Sequence, residues 1–155
     1  MRGKQITPRK ILPDEKYNSE IVTKLINYAM QDGKKATART AVYNALEDLS
    51  AKTKSDPVEA LEKAIDNVRP AKEIRARRVG GANYQIPVPV AERRQLYLAL
   101  SWLIDASRKH RGGKPFWQSL SGELFAAYNN DGDAIRKKED MQRMAESNRA
   151  FAQFA

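Results

Sequence analysis

Apolar residues recur along most of this chain with a helical period. Ile21, Val22, Leu25, Ile26, Ala29 and Met30 follow one another at steps that lay a single stripe on a helix. Ser19 stands at its N-cap position, and Gly33 is expected to stop it in the left-handed conformation. A second helix is predicted over 34–53, with Ala38, Ala41, Val42, Ala45, Leu46 and Leu49 on one face. The short link between the two implies an αα-hairpin. Asp56-Pro57 opens a third helix, with Asp as cap and Pro in the first turn. Val58, Leu61, Ile65 and Val68 form its stripe, and Pro70 ends it by restricting the residue before it. A fourth helix over 91–109 turns Leu96, Leu100, Leu103 and Ile104 toward one side, with Tyr97 and Trp102 nearby. It is the most apolar and is predicted to be central. A fifth starts at Pro115 and carries Phe116, Leu120, Leu124, Phe125 and Tyr128. A sixth over 133–150 has the weaker stripe Ile135, Met141, Met144 and Ala145 and is expected at the periphery.

Between the third and fourth helices the period changes to two. Ile74, Ala76 and Val79 alternate with Glu73, Arg75, Arg77 and Arg78, and the run YQIPVPV follows after a short break. This reads as strand, turn, strand over 72–90, with Gly80-Gly81 supplying the positive φ angles of a tight hairpin tip. Pro87 and Pro89 cannot donate ladder bonds, so the ribbon is an edge expected to project. On it Arg75 and Arg77 share a face and Arg78 points to the other. Residues 1–18, with Pro8 and Pro13 and little periodicity, read as an extended basic arm. The whole is a mostly α chain: six helices, one protruding β-hairpin and the arm, in a single domain over 1–155.

Charge changes the picture from fold to partner. A net charge of +9 and a pI near 9.8 are the electrostatic footprint of a nucleic-acid binder. The excess is clustered: residues 72–94 hold six basic and two acidic side chains, and residues 105–115 four basic and one acidic. Solvating charge would alternate in sign along helix faces, whereas phosphate neutralisation needs contiguous cations. The candidate contacts are Arg2, Lys4, Arg9 and Lys10 in the arm, Lys34 and Lys35 at the first helical turn, and Arg75, Arg77 and Arg78 on the ribbon. Arg93 and Arg94 follow it, Arg108, Lys109, Arg111 and Lys114 lie in the loop, and Lys137 and Lys138 open the last helix. Arg is suited to phosphate by its planar paired donors, where mere edge protection would favour Lys. Tyr84 beside the tip has two readings, stacking on a base or packing across the ribbon.

Catalytic chemistry fails on inventory. The chain has no cysteine and a single histidine, His110, set among Arg108, Lys109 and Arg111. A nucleophilic triad would need that His beside a carboxylate and a Ser, and no nucleophile-elbow pattern is present. Gly113-Lys114 resembles the end of a phosphate-binding loop, but the first glycine would fall at Arg108 and the hydroxyl position is Pro115. With Gly132 at its fixed place in a calcium loop, Ala127 and Lys138 fall where carboxylates are needed. That segment reads as a turn and helix cap. No cofactor, metal or small-molecule substrate is expected. No apolar run reaches membrane-spanning length and no secretory leader is recognisable, so an intracellular, soluble protein is expected.

Four segments together resemble one family. IRARR followed by VGGANYQIPVPV is similar to the hairpin of small-subunit ribosomal protein seven in its bacterial or organellar form. ILPDEKYNSEIVTKLINYAMQDGKK resembles the opening helix and basic turn of that family, DPVEALEKAIDNVRP its third helix, and IRKKEDMQRMAESNRAFA its last. The resemblance implies six helices with a protruding ribbon. It implies binding to the 3′ major (head) domain of small-subunit rRNA, nucleation of head assembly, and neighbouring small-subunit proteins as partners. Gly80, Gly81, Ala82, Asn83 and Tyr84 at the tip would then lie near exit-site tRNA and mRNA. The expected location is the cytoplasmic ribosome, with an organellar matrix or stroma as the other setting. HRGGKPFWQSL, Met141-Gln142 and the ending AFAQFA depart from the family pattern, which leaves contacts through those places open. A free messenger-RNA regulator is the alternative role. A helical DNA binder is disfavoured, because no short helix-turn-helix with a polar recognition helix stands out.

Overall fold

The computed structural model describes residues 10–154. Arg2, Lys4 and Arg9 of the basic arm lie outside them. Six α-helices and one antiparallel hairpin occur in the predicted order: α1 Glu20–Ala29, α2 Lys35–Thr53, α3 Pro57–Val68, β1 Lys72–Val79, β2 Ala82–Pro89, α4 Glu92–Lys109, α5 Phe116–Tyr128 and α6 Asp133–Ser147. Where a sixth helix to residue 150 was expected, α6 ends earlier and a 3-10 helix, Arg149–Phe154, follows.

The stripes become the core. Val22, Leu25 and Ile26 of α1, Val42, Leu46 and Leu49 of α2, and Leu61 and Ile65 of α3 are buried with Leu100, Leu103, Leu120 and Leu124. Helix α4 touches α1, α3, α5 and α6, and α5 touches α2, α3, α4 and α6, so the predicted central place of α4 is shared with α5. The stripe fails at two positions. Tyr97 is 41% exposed and Met144 48% exposed, because each sits at the edge of its helix's apolar face. Ser121 is fully buried on α5. Its hydroxyl donates to Asp48 Oδ2 at 2.5 Å, and Lys52 Nζ bonds the same carboxylate at 2.5 Å, so one polar cluster pins α5 to α2.

The caps follow local chemistry, with two corrections. The Asp56 carboxylate accepts the N–H of Val58 at 2.9 Å and of Glu59 at 3.3 Å, as its place before Pro57 predicts. Gly33, in contrast, does not stop α1. That helix ends at Ala29 with Met30 extended, and the Arg108 guanidinium donates to the Ala29 carbonyl at 3.2 Å. An arginine 79 residues away thus satisfies an orphan carbonyl that a left-handed glycine would otherwise serve. Gly33, at φ +72°, shapes the turn into α2, where Lys35 N–H bonds its carbonyl at 2.8 Å. The second correction concerns α6. Its cap comes from Glu123 on α5, whose Oε1 accepts the Ala134 N–H at 2.8 Å. Gly132 has φ +100°, and a Cβ there would stand 2.8 Å from Glu123 Oε1 and 3.1 Å from Ala126 Cβ. Gly132→Ala is therefore expected to cost about 1–3 kcal/mol through backbone strain and a displaced cap. A thermal melt equal to the parent's would show that the turn accommodates a side chain.

The hairpin has the predicted tip, Gly80 and Gly81 both having positive φ, and a register running from Lys72↔Pro89 to Val79↔Ala82. The predicted alternation does not hold at its base. Glu73 is 5% exposed, and Ile74 is only half-buried. Ile86 and Pro87 are neighbours pointing to opposite faces, yet both are buried. The base of the ribbon is therefore covered on both sides, and alternation loses its meaning there. Glu73 is accommodated because Arg75 Nη2 lies 2.5 Å from one carboxylate oxygen and Arg94 Nε 3.2 Å from the other. Helix α6 packs on β1, and the 3-10 helix packs on β2.

Candidate nucleic-acid interface

Cations that are remote in sequence meet in two clefts. The larger, of about 950 Å³, lies between α1 and the start of α4. Lys10, Lys24, Arg93 and Arg94 line it, with Leu96 and Leu100 as apolar lining and Tyr28 and Tyr97 beside them. The second, of about 450 Å³, sits where α1 ends and α2 begins, and Lys34, Arg108 and Arg111 line it with Phe116. The structure thus joins the Lys34 turn to the Arg108–Lys114 loop, and the arm residue Lys10 to Arg93 and Arg94. Clustered cations beside uncapped backbone N–H groups of a helix start raise the local positive potential. At the N-cap position of α2, Lys34 makes no side-chain capping bond.

The remaining candidates divide by what they touch. Arg77 and Arg78 stand opposite Tyr84 and Asn83 near the tip, and both are exposed. Arg75 is shared between Glu73 and solvent, its side chain 65% exposed. Lys35 and Lys114 are exposed. Lys109 Nζ and His110 Nε2 reach Asp133 Oδ2 at 3.3 Å and 2.6 Å. Hydrogen bonds from His110 first and Lys109 second hold that carboxyl below its ordinary value. Lys137 lies 3.9 Å from Asp105. Lys138 is half-buried, its Nζ donating to the Asn67 carbonyl at 2.6 Å, where it caps the end of α3. Arg108, Arg94 and Lys138 therefore hold the fold together as well as adding charge.

Tyr84 has a partner outside the ribbon. Its ring packs on Phe151 of the 3-10 helix, with centroids 5.2 Å apart. Three cleft residues escaped the sequence reading: Lys24, Tyr28 and Tyr97. The signal was present, since Tyr28 and Lys24 share the polar side of α1 at i, i+4 spacing, and an aromatic on a polar face asks for a partner. Among the described residues no cluster of His, Asp or Glu could hold a metal ion, and no helix is long and apolar enough to cross a membrane.

A helical core whose surface gathers cations from separate segments into clefts and onto a ribbon is the build of a protein that docks on a polyanion. The family model for ribosomal protein S7p/S5e matches residues 1–149. A small ribosomal subunit protein uS7 from Thermosipho africanus is 55% identical over 154 residues, covering 99% of each chain. One from Hydrogenobaculum sp. is 52% identical over 156 residues, covering 99% of this chain and 98% of its own, and one from Thermotoga petrophila is 50% identical over 154 residues, covering 99% of each. The chain belongs to the ribosomal protein S7p/S5e family, and its relatives place it with the bacterial type rather than the organellar one.

Proposed function

We propose that this chain acts without catalysis, as a structural constituent of the small ribosomal subunit that binds the head domain of its rRNA. Family membership supports the first part. The second is carried by one observation, the convergence of Lys10, Arg93 and Arg94 in one cleft and of Lys34, Arg108 and Arg111 in another. Cations so placed neutralise phosphates of a folded RNA that passes across α1, α4 and the hairpin, where isolated surface charges would not. Arm residues Arg2, Lys4 and Arg9 supply further cations for phosphate. Lys35, Arg75, Arg77, Arg78, Lys109, Lys114 and Lys137 add phosphate contacts around it. Neighbouring small-subunit proteins cover other faces. The exposed tip, Gly80 to Asn83, reaches exit-site tRNA and mRNA, with Tyr84 held back on Phe151 as its support. The particle itself is cytoplasmic.

The test is a titration of the full chain with a transcript of the rRNA head domain and with duplex DNA at matched salt. Binding to the transcript is expected to exceed binding to the duplex by at least about a thousandfold, the low end of specific recognition, with a steep salt slope from several phosphate contacts. Equal affinity for the two would sink the reading.

A further inference from the structure

Resting on that rRNA reading, we infer that the cleft between α1 and α4 is a stacking site for an unpaired base, which lies on the open face of one of Tyr28 and Tyr97 against the edge of the other while its flanking phosphates meet the cationic rim. The two rings contact each other with centroids 5.7 Å apart and planes at 65°. They are nonetheless 38% and 41% exposed, among the few large apolar side chains left open. A flat group lying on one ring therefore meets the edge of the other, the offset geometry that aromatic contacts prefer. The Arg94 guanidinium sits 4.9 Å from the Tyr97 ring centre, and Glu73 fixes it there through the 3.2 Å bond to its Nε. One side of Tyr97 is thus covered by a planar cation on which a base can also stack.

Charge selects the occupant. The rim holds Lys10, Lys24, Arg93 and Arg94 against the single carboxylate of Glu20. A basic or neutral peptide has no use for four cations. A nucleotide carries an apolar face and an adjacent anion, which match the two chemistries of the cleft. At about 950 Å³ the space exceeds one nucleotide, so the base enters with its neighbours on the strand. Duplex RNA is excluded, since its paired bases present no free face.

The experiment uses the full chain and the head-domain transcript. Tyr28→Leu with Tyr97→Leu keeps apolar bulk and removes both ring faces. Tyr28→Phe with Tyr97→Phe keeps the faces and removes the hydroxyls. The leucine pair is expected to bind about tenfold more weakly with an unchanged salt slope, and the phenylalanine pair like the parent. Transcript carrying 5-iodouridine is expected to crosslink to Tyr28 or Tyr97 through an unpaired nucleotide. Parental binding by the leucine pair, equal loss by both pairs, or a reduced salt slope in the leucine pair each overturns the stacking site. If the leucine pair melts early, the crosslink decides, and its absence from both tyrosines overturns the inference. In every such case the rRNA reading still stands provided the parent chain prefers the transcript to duplex DNA.

Discussion

Replacing Arg75 and Arg94 together by alanine is expected to lower stability by about 3–5 kcal/mol at neutral pH, enough to move Tm by roughly 10 °C. The cause is Glu73, 5% exposed at the base of the ribbon. Burial alone pushes its carboxyl up. Hydrogen bonds from Arg75 and Arg94, with their charges, outweigh burial and hold it below its ordinary value of 4.5. A carboxyl depressed by folding contributes stability that is fully present above 4.5 and is lost as pH falls through the folded value. Without the two arginines the sign reverses: burial acts unopposed, the ionised form is penalised, and the penalty is largest at neutral pH. The gap between variant and parent should therefore close as pH falls toward 4.5 and below. Each single variant should lose less, because one guanidinium remains. Adding Glu73→Leu to the double variant should restore most of the loss, since an apolar group of similar size needs no partner. Melts recorded between neutral and acid pH compare the four variants with the parent. A double variant as stable as the parent at neutral pH would show that water reaches Glu73.

The second large effect is on RNA. Arg78, Arg93 and Arg111 stand on the ribbon, in the larger cleft and in the smaller one, and all three are exposed. Changing them together to alanine is expected to weaken binding to the head-domain transcript on the order of a hundredfold or more at low salt. The slope of log affinity against log salt should flatten by about 0.7–0.9 for each lost phosphate contact, or roughly two to three in all. Tm should stay within about 2 °C, because all three side chains are exposed and the bond lost with Arg111, its Nε to the Lys114 carbonyl at 3.0 Å, lies in an exposed loop. Lys138→Ala makes the opposite control. Its ammonium serves the Asn67 carbonyl, so Tm should fall while the salt slope stays near the parent's. An unchanged slope in the triple variant would mean that the RNA does not run across these three positions.

The helices were legible because each is a stripe, and a stripe is a local property. Val22, Leu25 and Ile26, or Leu61, Ile65 and Val68, could be read as core before any neighbour was known. The Asp56 cap was equally local. What failed depended on residues far away. Gly33 looked like a helix stop until Arg108 supplied the capping donor from α4. The Gly132 segment read as turn and cap of α6 until Glu123 took the capping role. The hairpin alternation failed because period-two reasoning assumes one covered face and one wet face, and the neighbours Ile86 and Pro87 are covered on both. The site was legible as a list and illegible as a surface. Charge counting found Lys34, Arg111, Lys10 and Arg93, but only helix packing sorts them into two clefts. Lys24 and Tyr28 were lost because one i, i+4 pair makes no stripe, and Tyr97 because it lay beside the apolar stripe of α4.

The packing of Phe151 on Tyr84 sets the reach of the ribbon. Only two residue pairs, Arg78↔Asn83 and Val79↔Ala82, lie beyond that support before the turn. At roughly 3.3 Å per residue the unsupported part is about 7 Å long, a quarter of each eight-residue strand. So short an overhang is stiff. A strand of RNA that pushes on the glycine tip cannot simply bend it aside. The load passes to Tyr84, then to the 3-10 helix and α6, and the tip acts as the short arm of a lever whose long arm is anchored in the bundle.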